Sequence, residues 1–145
     1  MSQVNTEVAA DRTLHRARSL SRRECRSWLR THHEGRLGYC TGRGPRAVVV
    51  SYALANEQIV FRLADYTEIP QYSMGEQISF EVDGRETAVG GFRNVTIRGQ
   101  AHRPDDTFEE DAAPFEESWP PGVSTYTMCL DLVSMQGSQT VPPAE

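Results

Sequence analysis

Every basic side chain of this sequence is an arginine, and this limits the chemistry that its cationic groups could do. Lysine and arginine together number 15, and none of them is a lysine. Schiff-base catalysis, which needs a lysine amine, is therefore excluded. Arginine binds phosphates and carboxylates through its planar fork of N–H groups. A phosphate ligand of this chain would thus need arginine side chains or backbone amides.

The histidines and cysteines do not form a pattern typical of a metal site. His32 and His33 are adjacent, so on a helix their side chains would diverge by about 100°, and no further ligand follows at zinc spacing. His102 lies on a later segment, where we interpret it as a residue at the end of a strand. The cysteines are odd in number and widely spaced, which is typical of reduced thiols: Cys25, Cys40 and Cys129. We predict no metal site and no disulfide.

Several other classes of function lack the residues they need. The sequence contains no Gly-x-Ser-x-Gly or Walker motif, so it gives no signal for hydrolysis or phosphoryl transfer. Eight arginines lie between Arg12 and Arg36, but the net charge of -5 argues against nucleic-acid binding. Acidic residues are dense over residues 105–117, yet their spacing does not match a calcium loop. We interpret both groups as solvated surface.

The length of 145 residues suits one domain. Its apolar runs are all shorter than the roughly 20 residues that cross a bilayer, and residues 1–18 lack the apolar core of a secretory signal. We therefore predict a cytoplasmic protein with no membrane segment. Residues 1–18 and 137–145 show no periodic pattern, so we expect a disordered arm and a disordered tail around a domain at 19–136.

The first element of that domain is predicted to be a helix that begins at Ser21. Ser21 and Glu24 form a capping-box pattern, in which each side chain accepts a hydrogen bond from the other residue's amide. Gly35 is placed to end the helix in a left-handed conformation. Three apolar residues follow helical spacing and should pack on the rest of the domain: Cys25, Trp28 and Leu29.

From residue 36 onward, apolar and polar residues alternate with a period of two, which indicates β-strands. We expect six antiparallel strands that curl into a barrel, because an open sheet would leave two exposed edges. The predicted strands are Arg36–Cys40, Arg46–Leu54, Gln58–Leu63, Gln77–Asp83, Gly91–Ala101 and Thr125–Met135.

The order and spacing of these segments resemble the pyridoxamine-phosphate-oxidase-like family of flavin-binding split barrels. Each piece alone occurs in many β proteins, so the order carries the resemblance, which covers roughly residues 20–103. It implies a mostly β fold, a six-stranded antiparallel split barrel with one or two flanking helices. The matching pieces are Gly35-Arg36-Leu37-Gly38-Tyr39, Arg46–Leu54, Ile59-Val60-Phe61-Arg62, Ile78–Asp83 and Gly91–Ala101.

The resemblance also implies a homodimer with two identical clefts between the subunits, each holding FMN or a deazaflavin. In such proteins the backbone of the second strand lines the flavin ring, and the third strand with the turn after it holds the phosphate. A later strand approaches from nearby or from the other subunit. The residues that the resemblance assigns to these roles are Val49, Val50 and Ser51, then Arg62 and Thr67, then Phe92 and Arg93.

The sequence departs from the family pattern at the phosphate. The family usually has Thr-x-x-x-Lys after the third strand, and in this chain the lysine position is held by Glu68, or by Thr67 if the alignment shifts by one residue. A carboxylate ~4 Å from a phosphate would cost several kcal/mol at an effective dielectric constant of ~20. Residues 136–139 replace the arginine-rich ending of true pyridoxamine phosphate oxidases, so vitamin oxidation is not predicted.

Two hypotheses follow from these residues. The first is a flavin-dependent oxidoreductase, in which the flavin carries the redox chemistry. The second is a split-barrel dimer that serves as a stress-associated accessory protein. It would have no cofactor, or it would bind haem through His102, which the resemblance implies because some split-barrel relatives bind haem through histidine. Glu68 and the missing lysine motivate the second hypothesis.

Overall fold

The computed structural model describes residues 16–65, 67–88, 90–104 and 121–141. The predicted class, a mostly β split barrel with one or two flanking helices, is confirmed, although these ranges contain eight strands rather than six. No helix within them is long and apolar enough to span a bilayer. The strands are β1 (Arg16–Ser19), β2 (Glu34–Thr41), β3 (Gly44–Ala55), β4 (Gln58–Ala64), β5 (Gln77–Glu86), β6 (Gly91–Gln100), β7 (Thr125–Asp131) and β8 (Ser134–Val141), and the helices are α1 (Arg22–Arg30) and α2 (Ile69–Ser73).

The strands form one sheet in the order β1-β8-β6-β5-β2-β3-β4-β7, and all the pairs are antiparallel. Just after β6, His102 pairs with Cys129 of β7 through reciprocal backbone hydrogen bonds of 3.1 and 2.8 Å. β3 changes partner along its length, since residues 44–51 pair with β2 and residues 52–55 pair with β4. The His102–Cys129 pair links β6 to β7, and the change of partner divides β3 between two neighbours. Together these two features produce the split barrel.

The last predicted strand, Thr125–Met135, is divided in the structure. Leu132 and Val133 form a turn between β7 and β8. β7 pairs with β4, whereas β8 pairs with β6 and β1. One segment of chain therefore serves both halves of the barrel. Residues 125–135 contain no glycine, proline or asparagine that would mark a turn, which is why the sequence alone did not reveal it.

Parts of the predicted arm and tail are strands. In β1, Arg16 pairs with Val141 and Ser19 pairs with Ser138. β8 forms backbone hydrogen bonds with β6 on one side and with β1 on the other. These bonds hold β8 in place although its residues do not show an apolar alternation. The prediction of disorder is wrong for residues 16–18 and 137–141. The rest of the arm and tail lies outside the described residues.

α1 packs against β8, β3 and β6. The predicted capping box is present, because the Ser21 hydroxyl accepts from the Glu24 amide at 3.1 Å and the Glu24 carboxylate accepts from the Ser21 amide at 2.9 Å. The Trp28 indole donates to the carbonyl of Val82 at 3.1 Å. The buried face of the helix is the predicted one: Cys25, Trp28 and Leu29.

The helix ends earlier than predicted, at Arg30, with Thr31 as its C-cap. Gly35 does not end it in a left-handed conformation, and this prediction is wrong. Gly35 lies in β2 opposite Val50, and the Phe80 ring occupies the space that a Cβ atom would fill. The glycine is therefore required by close packing.

Candidate functional site

One side of β3 has no strand partner among the described strands over residues 45–51. β2 pairs with the other side of this stretch, and β4 joins only from Tyr52 onward. An unpaired strand side presents backbone N–H and C=O groups to any ligand that can form hydrogen bonds. We call this side of residues 45–51 the open edge.

The backbone groups of Val49 and Ser51 face the open edge. The Tyr52 amide donates to the His33 carbonyl at 2.9 Å, on the β2 side. The amides of successive residues in a strand point to opposite sides, so those of Ser51 and Val49 point away from β2. The amide and carbonyl of Val50 point toward β2. Of the three predicted ring-lining residues, two therefore offer backbone groups to a ligand, whereas Val50 belongs to the ladder.

The side chains of this stretch alternate between the two faces of the sheet. Val50 is 8% exposed and lies in the core, whereas Val49 is 59% exposed on the outer face. Opposite Val49, the Arg36 guanidinium lies 2.9 Å from Glu81 and 3.6 Å from Asp83. These residues line a shallow cavity of about 160 Å³. The exposed side chain of Val49 thus lies beside an ion-pair network that extends away from the open edge, across β2 and β5.

Arg62 lies where β3 and β4 separate. The last pair between these strands is Tyr52 with Phe61, so the register continued by one residue would place Arg62 opposite Ser51. On its other side Arg62 pairs with Thr127 of β7. Its side chain is half-buried, and its Nε atom is fully buried. The structure therefore brings Arg62 to the end of the open edge at Ser51.

The connection after β4 carries Thr67 and Glu68. The Thr67 hydroxyl donates to the Ala64 carbonyl at 3.0 Å, so its proton is used within the turn. The Glu68 carboxylate accepts from the Tyr39 hydroxyl at 2.8 Å and lies 3.8 Å from Nε of Arg46. We call Tyr39, Arg46 and Glu68 the Glu68 cluster. Because Arg46 is near the start of the open edge, the cluster lies at the opposite end from Arg62.

Sequence reasoning found Glu68 but missed Tyr39 and Arg46. These two residues are cross-strand partners in the hairpin of β2 and β3. The turn that joins the strands fixes their register, and this is the signal that could have paired them. Burial of Tyr39 and its bond to Glu68 raise the pKa of its phenol above the usual value. The phenol therefore remains the donor in this cluster at neutral pH.

Phe92 and Arg93 lie on β6, separated from β3 by β2 and β5. Three strand spacings correspond to about 14 Å. Phe92 is 53% exposed, and the Arg85 guanidinium lies 5.4 Å from its ring centroid. Arg93 lies 5.4 Å over the Trp28 ring and donates from Nε to Gln139 at 3.0 Å. Within one chain, the structure does not bring these two residues to the open edge.

His102 joins β6 to β7 rather than presenting a ligand atom. Its Nδ1 lies 2.8 Å from the Arg103 carbonyl and its Nε2 lies 3.0 Å from Asp131 Oδ1. The bond to His102 holds the pKa of Asp131 below its usual value. Each ring nitrogen thus lies against an acceptor of the chain itself, so neither nitrogen is directed at a haem iron in this arrangement. The acidic segment 105–117 lies outside the described residues.

The sequence model of the pyridoxamine 5'-phosphate oxidase family matches residues 21–137. No curated protein matches the sequence significantly. Among solved structures, an FAD binding protein from Mycobacterium smegmatis aligns with a TM-score of 0.75 at 20% identity, over 86% of this chain and 98% of that chain.

Two further solved structures share the fold. An FAD-binding protein from Mesorhizobium loti aligns with a TM-score of 0.68 at 16% identity, over 87% of this chain and 98% of that chain. An FAD and heme binding protein from Mycobacterium smegmatis aligns with a TM-score of 0.68 at 13% identity, over 86% of this chain and 75% of that chain. At these identities the likeness establishes the architecture alone.

Proposed function

Because this chain belongs to the pyridoxamine 5'-phosphate oxidase family, we propose that it binds a flavin along the open edge of β3 and works as a flavin-dependent oxidoreductase. The observation that carries this proposal is the pair of backbone groups at Val49 and Ser51, which face no described strand. The pyrimidine edge of a flavin carries donors and acceptors, so it could bind there as a neighbouring strand would. Solved relatives of the same fold that bind FAD support the proposal.

In this arrangement Arg62 would hold the phosphate nearest the ring, and the exposed side chain of Val49 would contact the ring. FMN is the flavin that the sequence predicts, the solved relatives favour FAD, and a deazaflavin has a similar ring shape. The shared chemistry is a flat tricyclic ring with a phosphate on a ribityl chain. A bound flavin supplies hydride transfer, while the chain orients the ring and excludes water.

We propose that two copies of the chain form a symmetric homodimer that completes this site. Val49 and Phe92 are large apolar side chains on the outer face, and both are more than half exposed in one chain. A second copy would cover them, and Phe92 of the partner subunit could then reach an open edge that it does not reach within its own chain. Sedimentation at micromolar concentration should give a dimer. A monomer that still binds flavin would overturn this part of the proposal.

Titration of the purified, flavin-stripped protein with FMN and with FAD tests the proposed function. We expect a change in the flavin absorbance near ~450 nm and a Kd in the micromolar range or tighter. Arg62→Ala should weaken binding by on the order of tenfold or more, because a charge-assisted bond to phosphate is lost. Arg23→Ala, at an exposed position of α1, should bind like the wild type. A wild-type protein that binds neither flavin would overturn the proposed function. An Arg62→Ala variant with the flavin affinity of the wild type would overturn the proposed role of Arg62 in binding the phosphate.

The second candidate function is a flavin-free accessory dimer, and the Glu68 cluster is the observation that favours it. A carboxylate is held on the same connection as Thr67, whose hydroxyl already donates within the turn. A colourless protein that binds neither FMN nor FAD would support this candidate. A Soret band on addition of haem would point instead to haem binding, with a ligand other than His102 in its present arrangement.

A further inference from the structure

We propose that a cavity between the end of β6 and the turn from β7 to β8 binds a short aliphatic carboxylate. Arg98 and the backbone amide of Gln100 would hold the carboxylate, and Val133 would contact the aliphatic chain. We call this space of about 640 Å³ the β6 cavity. It is separate from the proposed flavin site, because β2 and β5 lie between β6 and β3 in the sheet. The inference therefore goes beyond the proposed function.

The β6 cavity lies where the chain leaves β8 and joins β7. Arg98 is paired with Ser134 of β8, and His102 is paired with Cys129 of β7. Between these two pairs, no described strand is paired with Gln100 on this side. The His102 amide donates to the Cys129 carbonyl at 3.1 Å, and amides two residues apart in an extended chain point to the same side. The amide of Gln100 is therefore directed into the gap, where it can donate to a ligand.

Arg98 supplies a positive charge to the β6 cavity. Its side chain is exposed, and its cross-strand neighbours carry hydroxyls rather than carboxylates, Ser79 on β5 and Ser134 on β8. Glu81, two residues further along β5, is the partner of Arg36 at 2.9 Å. The guanidinium of Arg98 thus has no ion pair within the described part of the chain. Its fork of N–H groups matches the two oxygens of a carboxylate.

Asp131 favours a ligand with a single negative charge. Its carboxylate lines the same cavity, where Oδ1 accepts from Gln58 at 3.0 Å and lies 3.0 Å from Nε2 of His102. The bond to His102 holds the pKa of Asp131 below its usual value, so the group is ionised at neutral pH. A second negative charge on the ligand would be repelled by this carboxylate without a second guanidinium to offset it. A carboxylate is therefore favoured over a phosphate dianion.

Val133 gives the β6 cavity an apolar side. It lies in the turn between β7 and β8 and is 84% exposed, more than Val49 or Phe92. Leu130 also lines the cavity, beside Gly99, where a Cβ atom would lie 3.2 Å from Leu130 Cδ1. Covering exposed apolar surface is favourable. A chain of a few carbons could cover Val133 while its carboxylate reaches Arg98.

Titration of the ¹⁵N-labelled full-length protein with butyrate tests the proposal, and butanamide serves as a neutral molecule of similar shape. Butyrate should shift the Gln100 amide and the Nε–H signal of Arg98, with a Kd on the order of millimolar. Butanamide should bind on the order of tenfold more weakly, because it lacks the charge. Arg98→Gln should weaken butyrate binding by a similar factor. Arg43→Gln, at an exposed arginine in the turn between β2 and β3, should bind butyrate like the wild type.

The apolar side of the cavity has its own test. Acetate has two methylenes fewer than butyrate and should bind about fivefold more weakly to the wild type. Val133→Ser should remove most of this difference, while acetate itself binds as before. An unchanged preference for butyrate in Val133→Ser would overturn the role of Val133.

The remaining outcomes decide the site and its charge. Absent shifts at Gln100, or equal affinities for butyrate and butanamide, would overturn the proposal. Inorganic phosphate that binds more tightly than butyrate would overturn the preference for one negative charge. Should Arg98→Gln not fold, Arg98→Lys keeps the charge without the fork and should still weaken butyrate binding, and an unchanged affinity would exclude Arg98. Flavin titration of the Arg98 variants should match the wild type, so the flavin site and the β6 cavity can fail independently.

Discussion

The hydroxyl of Tyr52 donates a hydrogen bond of 2.6 Å to the backbone carbonyl of Leu29, which joins β3 to the last turn of α1. Burial of this phenol raises its pKa above the usual range. Tyr52→Phe should lower the free energy of unfolding by about 0.5–1.5 kcal/mol, because the hydrogen bond is lost while the Leu29 carbonyl keeps the His32 amide as a donor at 3.4 Å. Thermal or urea unfolding measures the loss. Tyr126→Phe, at a partly buried tyrosine, is the control, and an equal effect of the two changes would show that the bond does not anchor α1.

The pair formed by Arg18 and Glu24 should be visible in a pH titration. Hydrogen bonds from Arg18 and from the Ser21 amide lower the pKa of Glu24 from its usual 4.5 to about 2. Because the folded value is the lower one, the carboxylate stabilises the fold above pH 4.5, and this contribution is lost as the pH falls toward 2. Side-chain NMR of Glu24 should show the low midpoint, and Arg18→Ala should raise it. A midpoint that does not move in Arg18→Ala would contradict the assignment.

Gly137 is required by the contact between α1 and β8. A Cβ atom at this position would lie 2.6 Å from Cys25 Sγ and 2.9 Å from Leu20 Cδ1. Gly137→Ala should therefore cost about 1–3 kcal/mol of unfolding free energy through overpacking. Gly42→Ala serves as the control, because no described atom lies within 4 Å of a Cβ there. Chemical denaturation should give a lower unfolding midpoint for Gly137→Ala than for Gly42→Ala. Equal midpoints would contradict the requirement for glycine at position 137.

A proline substitution at Val49 tests whether the backbone amides on the open edge of β3 bind the flavin. Val49→Pro removes an N–H group that faces the open edge, and proline is tolerated where a strand amide has no strand partner. We expect this variant to fold and to bind flavin at least tenfold more weakly, since a backbone donor to the ring is lost. Val49→Ala keeps the amide and should retain most of the affinity. Circular dichroism with flavin titration measures both effects, and unaltered binding by a folded Val49→Pro would exclude the open edge.

Much of the fold could be predicted from the sequence because β5 and β6 alternate with a period of two, while β3 and β4 carry short apolar runs rich in β-branched residues. The capping box likewise located the start of α1 at Ser21. β1 and the end of β8 were missed because they are polar strands whose order depends on pairing with each other and with β6. Gly35 was misassigned because a glycine required by the Phe80 ring looks the same in a sequence as one that ends a helix.

The candidate site was predicted less completely, because it depends on which way the backbone faces. Val49 and Ser51 reach the open edge, but their neighbour Val50 faces β2, and only the register of the hairpin decides between them. Glu68 was identified by its charge, yet its partners Tyr39 and Arg46 are distant in sequence and meet it through the fold. Phe92 and Arg93 were assigned by resemblance, and within one chain they lie on another part of the sheet.

The measurement that tests the central claim most directly is the change in backbone amide chemical shifts of the ¹⁵N-labelled protein as FAD is added. If the flavin docks on the open edge, the amides of Val49 and Ser51 should show some of the largest shifts, while the Val50 amide, bonded toward β2, should shift less. Absent shifts at Val49 and Ser51, with shifts confined to another face of the barrel, would contradict the proposed site.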